Sequence, residues 1–454
     1  MRKALATAAL IALTLAATGL AGPPGRWTPI SKGHVESTDE AGLARTPDGV
    51  LHAVWQRRGA VASALWQTRI SPLGATMELG PVAGSLSNPG SPGLTAGSDG
   101  TLRAFFFAST ADGTSAALRL ANASASGLWT VVPEPLAQVS DPTSPAVGVA
   151  TTREGTPVVA WSAGRQIRYR YGVDPAAPLA ALGAGGCCAA GVQPAVDQAT
   201  GQAYVAWASS ASGGMGVYVQ AVDRSGPTRP RVFATGSATK KRTQALLPEG
   251  RVALASRSGA PGVYLAYAVG YPRVRAISVL HVGVRKLVLE VKAPDAAHVL
   301  VAAAPQGRLW LVWSRDGVVF ATRTNRSVTR VGAVQKIPAR RGARAIDELQ
   351  GDAALGPIDL VASFETRATA SFWHQRVLPG LSLAIQAAPS TVGSKRYVFR
   401  VTDAGESVGN ATVRVGKQSL TTGLSGLVAL ETSDRPPTAT ASKSGYATAT
   451  TRLP

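Results

Sequence analysis

Short apolar segments separated by glycine and proline run along most of the chain, and one pattern of them recurs. Each copy has an apolar segment, a tight turn ending in glycine, and a second apolar segment, which in most copies carries a bulky residue six positions after the glycine. The first copy is ARTPDGVLHAVW, with Gly49 in the turn and Trp55 as the bulky residue. Because these segments are short and rich in valine and aromatic residues, the pattern predicts β-hairpins rather than helices.

The pattern occurs seven times, and successive turn glycines are 51, 55, 46, 49, 57 and 49 residues apart. The turn glycines are Gly49, Gly100, Gly155, Gly201, Gly250, Gly307 and Gly356. The residues six positions after these glycines are Trp55, Phe106, Trp161, Trp207, Ser256, Trp313 and Ala362. Five of them are aromatic, and Ser256 and Ala362 break the rule. A period of about 50 residues accommodates the four strands of a propeller blade. We therefore predict an all-β fold, with a seven-bladed β-propeller over residues 22–379 whose last blade is completed by Arg26-Trp27-Thr28-Pro29-Ile30.

The beginning of the chain predicts export. Arg2 and Lys3 precede the apolar stretch Ala4 to Leu20, and small residues precede Gly22, as at a signal-peptide cleavage site. We expect residues 1–21 to be cleaved and the protein to be secreted, extracellular or associated with the cell surface; an uncleaved anchor is the alternative. No later stretch of the sequence is apolar and long enough to span a membrane.

Composition makes the chain strongly basic. The net charge is +20, and loss of Arg2 and Lys3 would leave +18 (20 − 2). Such a surface attracts polyanions, but the arginines are dispersed and aromatics are not interleaved with them as base-stacking requires. We expect a solvated basic surface and no specific nucleic-acid partner.

The pattern changes after Leu378-Pro379-Gly380. Alternating strands separated by glycine turns fill the remaining residues, beginning with Tyr397–Asp403. We predict that residues 380–454 form an immunoglobulin-like β-sandwich.

Both parts resemble known families. The run DGVLHAVW is typical of the sialidase-like, BNR-type group of secreted propellers, although the Asp-box of that family is absent and Ser98-Asp99-Gly100-Thr101 has the wrong spacing. We cannot assign the family's arginine triad, Tyr–Glu pair or Asp to this sequence. The segment VTDAG, the hairpin containing Asn410 and Ala411, and the terminal ASKSGY resemble a carboxypeptidase-regulatory-like, transthyretin-like domain. That resemblance implies a spacer, stabiliser or weak adhesin.

The only two cysteines, Cys187 and Cys188, are adjacent, just before the inner strand of the fourth repeat. In an oxidising compartment they are expected to form a vicinal disulfide, whose geometry is strained. A flat ligand could pack against it; the alternatives are a loop staple without a ligand and two free thiols.

Two sets of charged residues are further candidates for ligand binding. Carboxylates at the entry to the seventh repeat would face carboxylates at the entry to the first: Asp347, Glu348 and Asp352, with Asp39. They suit a Ca²⁺ site or a glycosidase acid/base pair, or they balance nearby arginines. Arg57, Arg58 and Arg165 lie between second and third strands, where they could clamp carboxylates or phosphates of an acidic glycan; solvated arginines are the alternative.

No catalytic motif, phosphate loop or metal-binding spacing of histidines is present in the sequence. We therefore expect no cofactor, with Ca²⁺ left open, and favour a monomeric recognition or adhesion protein that binds a glycan or cell-surface protein. The alternative is a sialidase-like glycoside hydrolase or lyase acting on extracellular polysaccharide. A third hypothesis is a scaffold within a surface assembly.

Overall fold

The computed structural model describes residues 25–31, 40–58, 62–109, 113–124, 127–139, 145–163, 165–183, 189–209, 216–228, 232–236, 252–270, 273–366, 369–387, 395–433 and 437–453. The regular secondary structure of these residues is β-strand, apart from one 3₁₀ turn at Pro305–Gly307. The predicted signal peptide lies outside them.

The described strands up to Val377 form seven antiparallel sheets, and β1 belongs to the last of these sheets. The strands that precede the fifth sheet are β1 (Thr28–Pro29), β2 (Gly42–Arg45), β3 (Leu51–Arg58), β4 (Ser63–Ile70), β5 (Thr76–Leu86), β6 (Gly93–Ala96), β7 (Leu102–Ser109), β8 (Ala116–Ala123), β9 (Trp129–Val131), β10 (Ala137–Val139), β11 (Val147–Thr151), β12 (Pro157–Ala163), β13 (Gln166–Tyr171), β14 (Ala180–Gly183), β15 (Ala189–Val196), β16 (Ala203–Ser209), β17 (Gly216–Val222) and β18 (Val232–Gly236).

The remaining strands form the fifth, sixth and seventh sheets and the C-terminal module. They are β19 (Ala253–Ser256), β20 (Val263–Gly270), β21 (Val274–His281), β22 (Lys286–Lys292), β23 (Ala297–Ala304), β24 (Arg308–Arg315), β25 (Val318–Arg323), β26 (Gln335–Pro338), β27 (Ala345–Asp352), β28 (Ile358–Glu365), β29 (Ala370–Val377), β30 (Ser382–Ala387), β31 (Lys395–Asp403), β32 (Glu406–Ser407), β33 (Thr412–Val415), β34 (Gln418–Thr421), β35 (Leu427–Thr432), β36 (Thr438–Ser442) and β37 (Ala449–Arg452).

Tight turns join the first two strands of each sheet. In the first sheet, Gly49 has φ 82°, and its N–H donates to the carbonyl of Thr46 at 2.9 Å. A residue with a side chain is strained at this φ, which explains the glycine in the repeated pattern.

The bulky residues of the pattern lie between neighbouring sheets. Each packs in a core that its own sheet shares with the preceding one, as Trp161 does against Phe105 and Phe107 of the second sheet. The buried aromatics at this position are Trp55, Phe106, Trp161, Trp207 and Trp313. Ala362 occupies a similar place between the sixth and seventh sheets.

The fifth copy of the pattern requires a correction. Ser256 was predicted to lie on the second strand, but it ends the innermost strand β19, where it pairs with Val263. The bulky residue of this sheet is Tyr267 on β20, which packs against the core shared with the fourth sheet. The prediction took Gly250 as the turn glycine, but Gly250 precedes β19 in the chain and lies outside the described residues. The turn between β19 and β20 contains Gly259 and Gly262 instead, so the predicted spacing falls on the wrong strand.

The sheets close into a ring. Each innermost strand contacts the innermost strand of the next sheet, and β27 of the last sheet contacts β2 of the first. Strand β1 pairs antiparallel with β29, with Thr28 opposite His374. This arrangement defines a propeller-like all-β fold.

The C-terminal module consists of two sheets packed around a core that contains Phe399, Val401 and Val413. It is fixed to the sixth sheet through Asp403, whose side chain is 2% exposed. The Asp403 carboxylate accepts a hydrogen bond from Arg308 Nη1 at 3.2 Å and another from Arg323 Nη2. Buried ion pairs of this kind hold two surfaces in one register.

Candidate functional site

The ring has two faces that differ in their chain connections. We call the side where the innermost strands begin the entry face, and the side of the tight turns between first and second strands the turn face. In the first sheet, antiparallel pairing of Gly42 with Val54 and of Arg45 with Leu51 places the end of β3 at the entry face. Arg57 and Arg58, the last two residues of β3, therefore lie on the entry face.

Arg57 stacks on an aromatic ring. Its guanidinium carbon lies 4.4 Å from the centre of the Trp66 ring. Trp66 lies on the third strand and pairs directly with Trp55, and the two indoles are stacked with centroids 6.5 Å apart. The buried tryptophan of the repeat thus supports the ring on which Arg57 rests.

Arg315 repeats this arrangement in the sixth sheet. It follows Trp313 by two residues, just as Arg57 follows Trp55. Its guanidinium carbon lies 5.1 Å from the centre of Phe320, the residue that pairs with Trp313. Arg315 also approaches the exposed carboxylate of Asp316 at 3.7 Å.

Arg340 completes the series in the seventh sheet. It lies between β26 and β27, and its guanidinium carbon is 4.2 Å from the centre of Trp373. Trp373 is on the third strand, opposite Ala362, and its indole N–H donates to Ser371 Oγ at 2.8 Å. The arginine reaches the ring from a connecting loop instead of from the second strand.

We call Arg57, Arg315 and Arg340 the arginine ladder. The sixth, seventh and first sheets are consecutive around the closed ring, so the ladder spans three neighbouring sheets. Cation–π stacking contributes about 0.5–1 kcal/mol at exposed sites and restricts the guanidinium before a ligand arrives. In the described part of the chain, neither Arg57 nor Arg340 forms an ion pair with a carboxylate, and their N–H groups can therefore bind an anion.

Sequence reasoning identified Arg57 but missed Arg315 and Arg340. The signal for Arg315 was present, because the sequences Trp55-Gln56-Arg57 and Trp313-Ser314-Arg315 share one spacing. Arg340 gives no such signal, since its ring is distant in sequence. Arg165 lies on the entry face in the turn between β12 and β13, but in the third sheet and outside the ladder.

The acidic candidates of the seventh repeat do not form one cluster, which corrects the sequence prediction. Asp347, Glu348 and Asp352 lie within the innermost strand β27 and not in a loop before it. A β-bulge between Ile346 and Glu348 leaves Asp347 without a directly opposed residue. Asp352 lies five positions after Asp347 along the strand, roughly 16 Å away at about 3.3 Å per residue. Asp352 therefore belongs to the turn face.

Asp352 takes part in an ion-pair network that joins the first and seventh sheets. Arg45 Nε lies 2.5 Å from Asp352 Oδ1, and Arg45 Nη2 lies 2.7 Å from Asp359 Oδ2. His374 Nε2 and Arg376 Nε also approach Asp359 Oδ1, at 2.9 and 2.8 Å. Burial opposes ionisation of Asp359, but the hydrogen bonds from His374 and Arg376 outweigh it and hold the Asp359 pKa below its ordinary value.

Three sequence-predicted residues, Cys187, Cys188 and Asp39, lie outside the described residues, so the vicinal disulfide stays a prediction. Among the residues with described positions, no three His, Cys, Asp or Glu side chains are grouped so that they could hold a metal ion. Within the same ranges, no helix has the length and apolar character needed to cross a bilayer.

No family model matches the chain, and no curated protein matches it in sequence. Among solved structures, a virginiamycin B lyase from Staphylococcus aureus is 10% identical with a TM-score of 0.44, over 77% of this chain and 98% of that chain. An α-L-arabinofuranosidase from Fusarium graminearum is 11% identical with a TM-score of 0.46, over 64% of this chain and 93% of that chain. An α-L-arabinanase from Penicillium chrysogenum is 14% identical with a TM-score of 0.39, over 77% of this chain and 96% of that chain. At this distance, the activities of those proteins are not transferred to this chain.

Proposed function

We propose that this chain is an extracellular recognition protein that binds an acidic glycan on the entry face of its ring. The observation that carries the proposal is the arginine ladder. Three consecutive sheets each present a guanidinium resting on an aromatic ring of the third strand. A row of oriented cations suits a polymer that carries an anionic group on successive units.

The chemistry of guanidinium favours this class of ligand. Arginine donates paired N–H groups that match the two oxygens of a carboxylate or sulfate. The aromatic rings below the ladder hold the guanidinium planes, so less conformational entropy is lost on binding. The net charge of +20, or +18 (20 − 2) after loss of Arg2 and Lys3, adds a long-range attraction for polyanions.

The proposal also assigns a blade number, a propeller group and domain bounds to the propeller-like fold. We propose a seven-bladed propeller of the sialidase-like group over residues 22–379 and an immunoglobulin-like, carboxypeptidase-regulatory-like sandwich over residues 380–454. The ring of seven sheets and the two packed C-terminal sheets support it. Secretion after cleavage of residues 1–21, a monomeric state and a Cys187–Cys188 disulfide belong to the same proposal.

Binding to soluble polysaccharides tests the function. We expect the full chain to bind polygalacturonate and heparin but not neutral dextran, with affinity that falls as salt rises. The variant Arg57→Gln/Arg315→Gln/Arg340→Gln should lose most of this binding. The matched control Arg153→Gln/Arg414→Gln/Arg452→Gln removes the same charge from exposed sites elsewhere and should bind nearly as well as the parent. Equal losses of binding in both triple variants would show that net charge alone drives binding. That result would refute the proposal that the arginine ladder is the binding site.

A second candidate function is a glycoside hydrolase or lyase that acts on extracellular polysaccharide. It is favoured by the bulge in β27, which places Asp347 and Glu348 side by side near the entry end of an innermost strand. Release of reducing or unsaturated ends from an acidic polysaccharide, abolished by Asp347→Asn or Glu348→Gln with binding retained, would establish this function. Binding without any product supports recognition alone.

A further inference from the structure

A cleft on the turn face opens between the first and second sheets, on the opposite side from the arginine ladder. Its volume is about 540 Å³, enough for a small ligand. Hydroxyl, carboxylate, guanidinium and aliphatic groups all line it, including Thr46, Asp48, Arg69, Leu79 and Asp99. Both sheets contribute to the walls.

A chain of hydrogen bonds runs along the wall of this cleft, and Thr46, Asp48, His52 and Gln67 of this chain line it. The Trp129 indole N–H donates to Gln67 Oε1 at 2.9 Å, and Gln67 Nε2 lies 2.6 Å from His52 Nδ1. His52 Nε2 lies 3.2 Å from Thr46 Oγ1, which donates to Asp48 Oδ1 at 2.5 Å. We call this series the relay. Its three middle members are buried, with Gln67 only 2% exposed.

The direction of the relay is fixed by its first donor. An indole N–H can only donate, so the Gln67 atom that meets Trp129 is the oxygen, and the amide nitrogen faces His52. That nitrogen also donates, so His52 Nδ1 must be the unprotonated acceptor. The remaining proton of the neutral ring therefore lies on Nε2 and points to Thr46.

This direction excludes one chemistry and favours another. To activate the Thr46 hydroxyl as a nucleophile, His52 would need a bare Nε2, which the relay does not allow. The Thr46 hydroxyl instead turns its proton to Asp48, and this hydrogen bond lowers the pKa of Asp48. Asp99 is held in the same way by the Thr101 hydroxyl, at 2.6 Å, which lowers the pKa of Asp99. Both carboxylates at the cleft are fixed acceptors.

We propose that this cleft is a second binding site, which takes a neutral sugar unit through adjacent hydroxyl groups. Asp48 and Asp99 would accept from the hydroxyls, Arg69 would donate to them, and the exposed side chain of Leu79 would pack on the C–H face of the ring. The inference goes beyond the proposed function, because the site lies on the other face and selects an uncharged ligand.

Titration of the full chain with the methyl glycosides of glucose, galactose and mannose tests this site, by calorimetry and by saturation-transfer NMR. We expect saturable binding of at least one of them. Asp99→Asn should weaken it about tenfold, as expected for loss of a charged acceptor, and Leu79→Ala should also weaken it. Both changes are at exposed positions that do not contribute to the core.

Two controls match these variants. Asp223→Asn alters a turn carboxylate that also accepts a hydroxyl, from Ser225 at 2.7 Å, but in the fourth sheet. Leu73→Ala removes an exposed leucine of the first sheet that is 80% exposed and does not line the cleft. Neither should change sugar binding, and Arg57→Gln/Arg315→Gln/Arg340→Gln should also leave it unchanged. The proposal is overturned if no glycoside binds at tens of millimolar, or if Asp99→Asn and Leu79→Ala bind as the controls do.

Discussion

The indole N–H of Trp129, in the second sheet, points at the side-chain oxygen of Gln67 in the first, 2.9 Å away. Through this single contact, one sheet sets the protonation pattern of a histidine in its neighbour. Gln67 can offer His52 only a donor while Trp129 occupies its oxygen. A substitution at Gln67 should therefore alter the pKa of His52, which NMR can measure.

The variant Gln67→Glu tests whether the Gln67 amide sets the protonation of His52. A carboxylate in place of the amide would face His52 Nδ1 with an acceptor and a negative charge, both of which favour the protonated ring. Burial and the nearby Arg69 lower the pKa of His52 to about 4 in the parent. We expect the variant to raise that pKa by at least about one unit, as followed by NMR titration. His281, whose pKa is lowered mainly by burial, serves as an internal control that should not move.

The same histidine should make stability depend on pH. A folded-state pKa of about 4, below the ordinary 6.5, means that the unfolded chain binds more protons in this interval. Stability should therefore fall as the pH drops from about 6.5 to 4, by at most about 3 kcal/mol from this group at 1.36 kcal/mol per pKa unit. Urea unfolding of His52→Gln should show a shallower loss across this window. An identical slope in parent and variant would contradict the prediction.

The aromatic rings of the arginine ladder should matter independently of charge. Trp66→Leu keeps an apolar side chain but removes the ring under Arg57, so binding of an acidic polysaccharide should weaken about two- to fivefold for the loss of one cation–π contact. Arg57→Lys keeps the charge and should weaken binding similarly, because an ammonium lacks the paired donors. Unchanged affinity in both variants would show that only the number of charges counts.

The ion-pair network between the first and seventh sheets should be a sensitive point for stability. Asp359 is 1% exposed and holds Arg45, His374 and Arg376 together. Asp359→Asn would remove the carboxylate that pairs with Arg376 and would leave Arg45 with Asp352 only, and we expect a loss of about 3–5 kcal/mol in the free energy of unfolding. Asp352→Asn is the matched control, since Asp352 is 23% exposed and, among the residues that the structure describes, forms an ion pair with Arg45 alone. The Asp352→Asn variant should lose clearly less of its free energy of unfolding than Asp359→Asn does.

The sequence was informative where local geometry repeats. A glycine turn followed by a buried aromatic indicates a hairpin and a filled gap between sheets, and Trp55, Trp161 and Trp207 follow this logic. It failed in the fifth copy because the chosen glycine, Gly250, precedes the first strand of the sheet: Tyr267, not Ser256, fills the gap there. A glycine followed by an apolar run also precedes the first strand of that sheet, and the local pattern does not distinguish the two places.

Relationships between distant segments were beyond the sequence. Asp352 was grouped with Asp347 because they are close in the chain, yet a strand carries them to opposite faces. Arg340 and Trp373 meet only because neighbouring sheets pack side by side. The hydrogen-bond relay likewise joins Trp129 to residues of another sheet. Such contacts depend on how neighbouring sheets pack against each other, which no local pattern encodes.

The pairing of Thr28 with His374, across 346 residues, has a consequence for how the molecule is made. The segment that closes the last sheet leaves the ribosome early, whereas its partner β29 is synthesised only after nearly all of the ring. The early segment must wait unpaired, and the ring cannot shut until translation has passed residue 377. A product that stops before β29 would keep an open sheet edge available to other chains, so premature termination should produce aggregation instead of a smaller working molecule.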